Sequence, residues 1–414
     1  MRKHKIIYFF YFIIIFILCT CNDPVFYAIY QEIKPIEPRI KGVPTNFVIH
    51  DGRMYVASGH KLYSYNKDAD KGPDKPYWKK ETSPGKTILQ IASAGGNLYA
   101  LCSTNQNNDG RTVVKQLEKD NTTWTTIGGE LDNYSKLHNI FAAGDVLFVL
   151  ATAAGTNLDH IFYTILYISN GSTEVLQTVN PEHFNNTGEL NGAVYNANDN
   201  IYYLTAKSRG VYRIDDIDEG AKLINYQDAD GKDVTVNFTG IISLEDGKNT
   251  ILLISRTGEI YTVSDSIEKI ENISMGKLAT GALLIWREND RQDCRRLLLA
   301  GRQDSLTYSS TYGYSYGYME LELDENGIKS GSNFIEPGRN SFSTLVEYER
   351  YQSTIGKYPV SYLFQAPPDI DGNMTLFAST QKNGVWSCRD RDRNSKKYWN
   401  AEGGNEPVYF EPDN

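Results

Sequence analysis

A short apolar strand that follows a tight turn recurs seven times along this chain. Its clearest copy is Ala94–Thr104, where two glycines precede the run Asn-Leu-Tyr-Ala-Leu-Cys. Glycine, asparagine and aspartate accept the positive φ angles that tight hairpin turns require. An apolar run bounded by such turns is typical of a β-strand. The residues at the centres of the seven strands are Tyr55, Tyr99, Phe148, Tyr203, Leu253, Leu299 and Phe377.

The spacing of these centres limits what the strands can build. Successive centres lie 44, 49, 55, 50, 46 and 78 residues apart. Repeats of about 40–50 residues with several short strands are typical of β-propeller blades, which bury their apolar faces only by packing around an axis. We therefore predict an all-β fold, a seven-bladed β-propeller of four-stranded antiparallel blades. A meandering β-sandwich is the alternative, since short strands are compatible with it as well.

Two further patterns fill in the predicted blade. A glycine turn and a second aromatic strand follow the first strand, at Gly59, Gly210, Gly258 and Gly384. A polar strand with a tryptophan then closes several units, at Trp78, Trp124 and Trp399. The last step of 78 residues is too long for one blade, so we predict an insertion at about residues 325–357.

The chain is acidic, which bears on its partners. It has 414 residues, a formal net charge of −9 and a pI near 5.3. Because no basic surface dominates, we do not expect nucleic acid as a main partner. Abundant glycine and tyrosine, with little helical patterning, agree with the all-β prediction.

The first residues have the pattern of an export signal. Arg2, Lys3 and Lys5 precede an unbroken apolar run over Ile6–Leu18. A positive segment followed by a short apolar one is typical of a secretory signal peptide, and the run is shorter than the ~20 residues of a spanning helix. We predict a signal peptide over residues 1–20, with an uncleaved membrane anchor as the alternative.

The sequence Leu18-Cys19-Thr20-Cys21 follows the apolar run. It resembles the lipobox of bacterial lipoproteins, with Leu18 three residues before Cys21 and Thr20 where a smaller residue is commonest. The resemblance implies lipidation of Cys21 and anchoring in the bacterial cell envelope, periplasmic or surface-facing. Residues 21–42 would then be the lipidated N-terminus and tether, 43–405 the propeller and 406–414 a tail. The strand-like piece Val25–Tyr30 can also close the ring on the last blade.

A tyrosine-rich stretch is the strongest candidate for a binding surface. Four tyrosines alternate there with glycine and serine, so a strand would place all four rings on one face. That face is either a stacking platform for a sugar or a partner, or an aromatic ladder that packs on the next blade. The four residues are Tyr312, Tyr314, Tyr316 and Tyr318.

No motif in the chain indicates a metal or a cofactor. The six histidines are scattered, without paired spacing. The Asp-Gly stretches that begin at Asp228 and Asp369 lack the later ligands of a calcium loop, and Asp-Gly is also a common hairpin turn. Of the cysteines beyond Cys21, Cys294 and Cys388 are the better placed to pair, in adjacent predicted blades; Cys102 would be a core residue.

Catalytic motifs are also missing, which shapes the functional prediction. The stretch Asp120–Trp124 resembles a shortened Asp-box turn of sialidase-type propellers, but no catalytic residue can be carried over with it. The first hypothesis is a lipid-anchored envelope scaffold that binds an envelope protein or a surface polymer. The alternative is a glycan hydrolase or lyase. Carboxylates or a Tyr–Glu pair at the axial funnel would favour the enzyme, and an apolar funnel would favour the scaffold.

Overall fold

A computed structural model gives the fold. It describes residues 40, 42–65, 78–104, 111–119, 122–153, 163–169, 172–179, 190–206, 210–244, 246–276, 278–287, 295–302, 317–335, 355–368, 374–381, 383–389 and 399–402. The predicted signal peptide, Cys21, the strand-like piece Val25–Tyr30 and the tail lie outside the described residues. No helix among the described residues is long and apolar enough to cross a membrane.

Seven sheets follow one another along the chain, and we call them blades one to seven. They are antiparallel except for one parallel pair in blade five, Tyr226 with Ile267. Blade one contains β1 (Val48–His50), β2 (Arg53–Ser58), β3 (Lys61–Tyr65) and β4 (Trp78–Glu81). Blade two contains β5 (Thr87–Ala94), β6 (Asn97–Ser103), β7 (Thr112–Leu117) and β8 (Thr125–Thr126). Blade three contains β9 (Tyr134–Ala143), β10 (Val146–Ala153), β11 (Tyr163–Ser169) and β12 (Ser172–Val179). Blade four contains β13 (Leu190–Asn196), β14 (Ile201–Ala206), β15 (Gly210–Ile214) and β16 (Lys222–Ile224).

Blade five has an additional hairpin before its four main strands. The hairpin is β17 (Tyr226–Gln227) and β18 (Asp233–Val234), and the main strands are β19 (Phe238–Ser243), β20 (Ile251–Ser255), β21 (Glu259–Val263) and β22 (Ile267–Ser274). Blade six contains β23 (Leu278–Arg287), β24 (Arg295–Arg302), β25 (Tyr318–Asp324) and β26 (Gly327–Ile328). Blade seven contains β27 (Val360–Ala366), β28 (Thr375–Thr380), β29 (Val385–Arg389) and β30 (Trp399–Ala401). Within the described part of the chain, 3-10 helices span Gly129–Asn133 and Ile355–Lys357.

The seven repeat centres lie on the second strand of each blade, as the sequence predicts. All are buried, and Phe148 and Phe377 are 0% exposed. Successive side chains of a strand point to opposite faces. Accordingly, Phe148 packs toward blade four while its neighbour Leu147 packs toward blade two. Each second strand therefore contributes to two interfaces at once.

Seven apolar cores hold the blades together, each between two successive blades. The core between blades seven and one contains Phe377 and Val385 from one blade with Phe47, Met54 and Trp78 from the other. A sandwich of two sheets would have a single core between its layers. The seven cores identify a closed propeller and exclude the sandwich.

Polar contacts reinforce the junction where the two ends of the ring meet. Glu402, 4% exposed, accepts a hydrogen bond at 2.8 Å from the indole Nε1 of Trp78 in blade one. Its carboxylate also accepts one from the Ser387 hydroxyl in blade seven, and its main-chain oxygen accepts one from the Ile40 amide. The ring thus closes by contact between blades seven and one. Each of these blades takes its four strands from one continuous stretch of chain.

The propeller has two faces, distinguished by their turns. The chain joins it at Gly42 and Pro44, which pair with Asn383 and Ser58 at the turns after second strands. We call this the upper face; the connections between blades lie there too. The lower face carries the turns between first and second strands, such as Gly95–Gly96.

The 78 residues that separate the last two repeat centres, Leu299 and Phe377, include both blade strands and the predicted insertion. The fourth strand of blade six, Gly327–Ile328, lies within the range 325–357 that the sequence assigns to an insertion. Ile335 then pairs with Glu320 of the same blade. Residues 336–354, which hold most of the predicted insertion, lie outside the described residues.

Candidate functional site

The first strands of the blades form the innermost layer of the propeller. Six successive pairs of these strands, from β1 and β5 to β23 and β27, contact each other, so they line the axis. A propeller has its natural cavity there, and the sequence analysis makes the chemistry of that channel the test between scaffold and enzyme. The seven inner strands are β1, β5, β9, β13, β19, β23 and β27.

The chemistry of the inner strands is uniform. None of their residues is aspartate or glutamate. Their charged residues are Lys136 and Arg287, and their histidines are His50 and His138. The seven inner strands, as the structure describes them, therefore contribute no carboxylate of their own to the channel.

Apolar side chains on this wall are open to solvent. Ile49 on β1 is 42% exposed and Leu89 on β5 is 46% exposed. Phe141, Tyr362 and Phe364 on other inner strands are partly exposed. Exposed apolar groups that line a concave surface are typical of a binding site.

Side-chain amides join the inner strands of neighbouring blades. The Asn46 amide donates to the Ile91 oxygen at 2.6 Å and accepts from the Ile91 N–H at 3.0 Å. The Gln365 amide binds both main-chain groups of Arg287 in the same way, at 2.8 and 3.1 Å. Gln90, Asn139 and Asn191 make single bonds to the main chain of the next blade, at Ile140, Leu190 and Phe238. We call these five residues the amide clamps.

The two histidines of the inner strands have structural partners. His50 is buried, 3.2 Å from the Ser93 hydroxyl, and its pKa is lowered mainly by burial, against the opposing effect of the Asp51 carboxylate. His138 lies 3.3 Å from the Thr152 hydroxyl. Among the described residues no group of three or more His, Cys, Asp or Glu side chains has the arrangement of a metal site.

Among the described residues, one tyrosine–glutamate pair includes an inner strand: the Tyr134 hydroxyl, at the start of β9, lies 3.5 Å from Glu130. Two other pairs lie on outer strands. The Tyr167 hydroxyl donates to Glu174 at 2.8 Å and lies 3.3 Å from Asp218. The Tyr261 hydroxyl donates to Glu259 at 3.3 Å, and Lys269 binds the same carboxylate at 2.6 Å. Burial first, and the adjacent carboxylates second, raise the pKa of both phenols, so each stays a protonated donor. These pairs stabilise the edges of blades three and five.

The tyrosine-rich stretch is only partly described. Tyr318 begins β25, is 2% exposed and packs edge to face on Trp399 of blade seven, with ring centroids 5.8 Å apart. This ring belongs to the core between blades six and seven, because its position on the third strand turns it toward the next blade. It cannot form part of an exposed binding surface. Tyr312, Tyr314 and Tyr316 lie outside the described residues, and their role as a surface stays a prediction.

The predicted cysteine pair is not described in full either. Cys388 is buried in the core between blades six and seven, whereas Cys294 lies outside the described residues. Cys102 is buried between blades one and two, and burial raises the pKa of its thiol to about 12. Cys102 is thus an unreactive core residue.

Two other motifs have structural roles where they are described. The Asp228 carboxylate accepts bonds at 3.0 Å from the N–H groups of Asp230 and Lys232, so it stabilises the turn of the β17–β18 hairpin. Trp124, from the Asp-box-like stretch, donates to the Thr82 oxygen at 2.9 Å. The second Asp-Gly stretch, from Asp369, lies outside the described residues.

Sequence reasoning missed the amide clamps and Glu402. Asparagine and glutamine occur throughout the chain, and nothing local distinguishes those that face another blade. The only available signal was the polar residue within an otherwise apolar inner strand, as in Ile88-Leu-Gln-Ile91.

No protein-family profile matches the chain, and no curated protein sequence is similar to it. Solved structures do resemble it. YCF48 from Cyanidioschyzon merolae has 11% identity and a TM-score of 0.48, over 85% of this chain and 95% of its own. The GH74 enzyme of Niastella koreensis has 12% identity and a TM-score of 0.49, over 88% of this chain and 55% of its own. Raptor from Chaetomium thermophilum has 12% identity and a TM-score of 0.45, over 86% and 30%.

Proposed function

We propose that this chain is a non-catalytic interaction propeller of the bacterial cell envelope, anchored by lipid at Cys21. It binds a protein segment or a surface polymer at its axial channel. The anchor follows from the lipobox-like sequence. The binding role follows from one observation, the absence of carboxylates from the seven inner strands together with their exposed apolar side chains.

A glycan hydrolase is less well supported by the same residues. Glycoside hydrolysis generally requires two carboxylates on either side of the scissile bond, about 5–10 Å apart. Two of the described Tyr–Glu pairs lie on third and fourth strands, and the third, Tyr134 with Glu130 where β9 begins, supplies a single carboxylate. Scaffold binding requires only complementary shape and satisfied polar groups, which apolar side chains and amides provide.

Site-specific photo-crosslinking in intact cells tests the binding role. A photoreactive residue is placed at Leu89 in the channel wall, in the full-length chain. The control position is Val175 on the outer strand of blade three, which is 45% exposed compared with 46% for Leu89. We expect a discrete adduct at Leu89 and none at Val175. Equal labelling at both positions, or none at either, would reject the channel as the binding site.

Two measurements test the other parts of the proposal. Mass spectrometry of the mature N-terminal peptide should find a lipidated Cys21, and Cys21→Ala should release a soluble or unprocessed chain. An unmodified N-terminus elsewhere contradicts the anchor. Sugar products released from purified surface polymers by the purified chain would favour the hydrolase.

A further inference from the structure

We propose that the propeller docks on an anionic lipid surface through the part of its upper face that blades one and two form. This inference rests on the anchor proposed at Cys21 and adds an orientation, which a lipid on a tether does not determine by itself. The surface consists of Val43, Lys61, Lys86 and Arg111, and we call it the basic edge.

The tether joins the propeller at this face. Gly42 pairs with Asn383, and its oxygen accepts a bond at 3.2 Å from the Gly384 N–H. Pro44 pairs with Ser58, the last residue of β2. The 18 residues Asn22–Arg39 lie between Cys21 and the buried Ile40, and they can extend over at most about 65 Å.

In blade one, the basic edge begins next to the point where the tether joins the propeller. Ser58 leads into the turn that presents the exposed side chain of Lys61. The Gly59 oxygen in that turn accepts a bond at 2.7 Å from the Ile88 N–H of blade two. The Ser83 hydroxyl donates to the His60 oxygen. The turn of blade one and the connection to blade two therefore form one continuous surface.

The same surface continues into blade two. The Lys86 ammonium, which is exposed, lies 3.4 Å from the Thr104 oxygen. The Thr104 N–H and hydroxyl both donate to the Arg111 oxygen at 3.0 Å. Glu81, the acidic residue next to this surface, already accepts from Ser64 at 2.7 Å and pairs with Lys79 at 3.3 Å. Lys86 and Arg111 therefore lie on segments that Thr104 joins, next to the turn that holds Lys61.

An apolar group lies beside these cations. Val43 follows directly on Gly42, where the tether joins, and is 62% exposed, more than any other large apolar side chain described. An exposed apolar residue next to lysine and arginine is the combination that binds interfacial lipid, by burial among headgroups and attraction to their phosphates.

The lower face carries exposed carboxylates as well as the cations Arg53, Lys222 and Lys248. Its turns present exposed carboxylates from four blades, at Asp51, Asp145, Asp199 and Asp265. An anionic surface attracts the basic edge and repels these turns, so the charge distribution favours one orientation. The lower face then points away from the lipid.

Hydrogen exchange of the lipidated full-length chain in vesicles tests the orientation. The chain is reconstituted in phosphatidylcholine vesicles with and without phosphatidylglycerol. We expect exchange in peptides covering residues 58–61 and 83–88 to slow about tenfold only with the anionic lipid, and this protection to disappear near 1 M NaCl, where screening acts within about 3 Å. Peptides covering the lower-face turns 95–97 and 198–200 should exchange equally in both.

Charge reversal provides the matched comparison. Each basic side chain contributes about fivefold to such binding, so Lys61→Glu, Lys86→Glu and Arg111→Glu together should abolish the protection. The control is Arg53→Glu, Lys222→Glu and Lys248→Glu on the lower face, with the same change in net charge, which should retain it. Both variants should keep the wild-type Tm. Equal exchange on both vesicle types, or protection of the lower face, rejects the docking. Failure of the chain to enter the vesicle fraction rejects the anchor, and the orientation with it.

Discussion

Single buried side chains determine how firmly adjacent blades pack. Phe148 is 0% exposed and packs between blades three and four, where its ring meets Tyr202 edge to face with centroids 5.7 Å apart. Phe148→Ala removes the ring and leaves a cavity, so we expect a loss of about 3–5 kcal/mol in the free energy of unfolding. Urea denaturation measures it. A loss below about 1 kcal/mol would contradict the burial of Phe148.

A second residue links stability to pH. Burial lowers the pKa of His50 in the folded chain below the unfolded value of 6.5, so protonation favours the unfolded state. This contribution to stability is complete above about pH 6.5 and is lost as the pH falls from there toward the lowered pKa. We expect His50→Gln to lose less Tm than the wild type between pH 7.5 and 5.5. His60→Gln, at an exposed histidine, should behave like the wild type; an unchanged pH dependence in His50→Gln would contradict the prediction.

At the scale of elements, the inner strands of blades five and six approach unusually closely. A Cβ on Gly281 would lie 2.0 Å from the Thr239 oxygen, and the residue has φ +92°. Gly281→Ala should therefore lower the Tm severely, since the clash is with main chain that cannot move alone. Gly276→Ala is the control, because it has φ +64° but no neighbour within 4 Å. A similar Tm for the two variants would show that the close approach is absent.

The sequence was informative where local rules determine an element. Second and third strands were predictable because a positive-φ turn precedes an apolar run, as at Gly95–Gly96 before β6. The turn of the β17–β18 hairpin was predictable from the Asp-Gly stretch at Asp228, whereas its strands of two residues each are too short to show any period. Tyr318 packs on the next blade, as the aromatic-ladder alternative expects, but its partner Trp399 lies 81 residues further along the chain and could not be identified from the stretch itself.

At the scale of the whole molecule, closure of the ring depends on the junction of blades seven and one. Trp78→Phe keeps an aromatic ring beside Phe377 but removes the donor to the buried Glu402 carboxylate. Hydrogen bonds to charged groups contribute about 1.5–3 kcal/mol, so we expect a loss of that order in unfolding free energy. Trp124→Phe, which removes an exposed bond to the Thr82 oxygen, should lose less. Equal losses would mean that Glu402 does not reinforce the junction.

Seven blades were predictable from the period, whereas the channel was not. The period gives the number of blades because each repeat supplies the strands of one sheet. The chemistry of the channel depends on which residues the seven inner strands bring together. These strands lie far apart in the sequence and meet only in the closed ring. The absence of carboxylates from the inner strands is visible in the printed sequence, but only after those strands have been identified.

The amide clamps have a consequence for how such a chain can change over time. Asn46, Gln90, Asn139 and Asn191 all bind main-chain groups of the following blade. Every residue type presents the same carbonyl group, so the strand that is bound can exchange its side chains without losing the bond. Mutational drift is therefore tolerated on one side of each of these four junctions. A ring built in this way can retain its architecture long after its sequence has ceased to resemble that of its relatives.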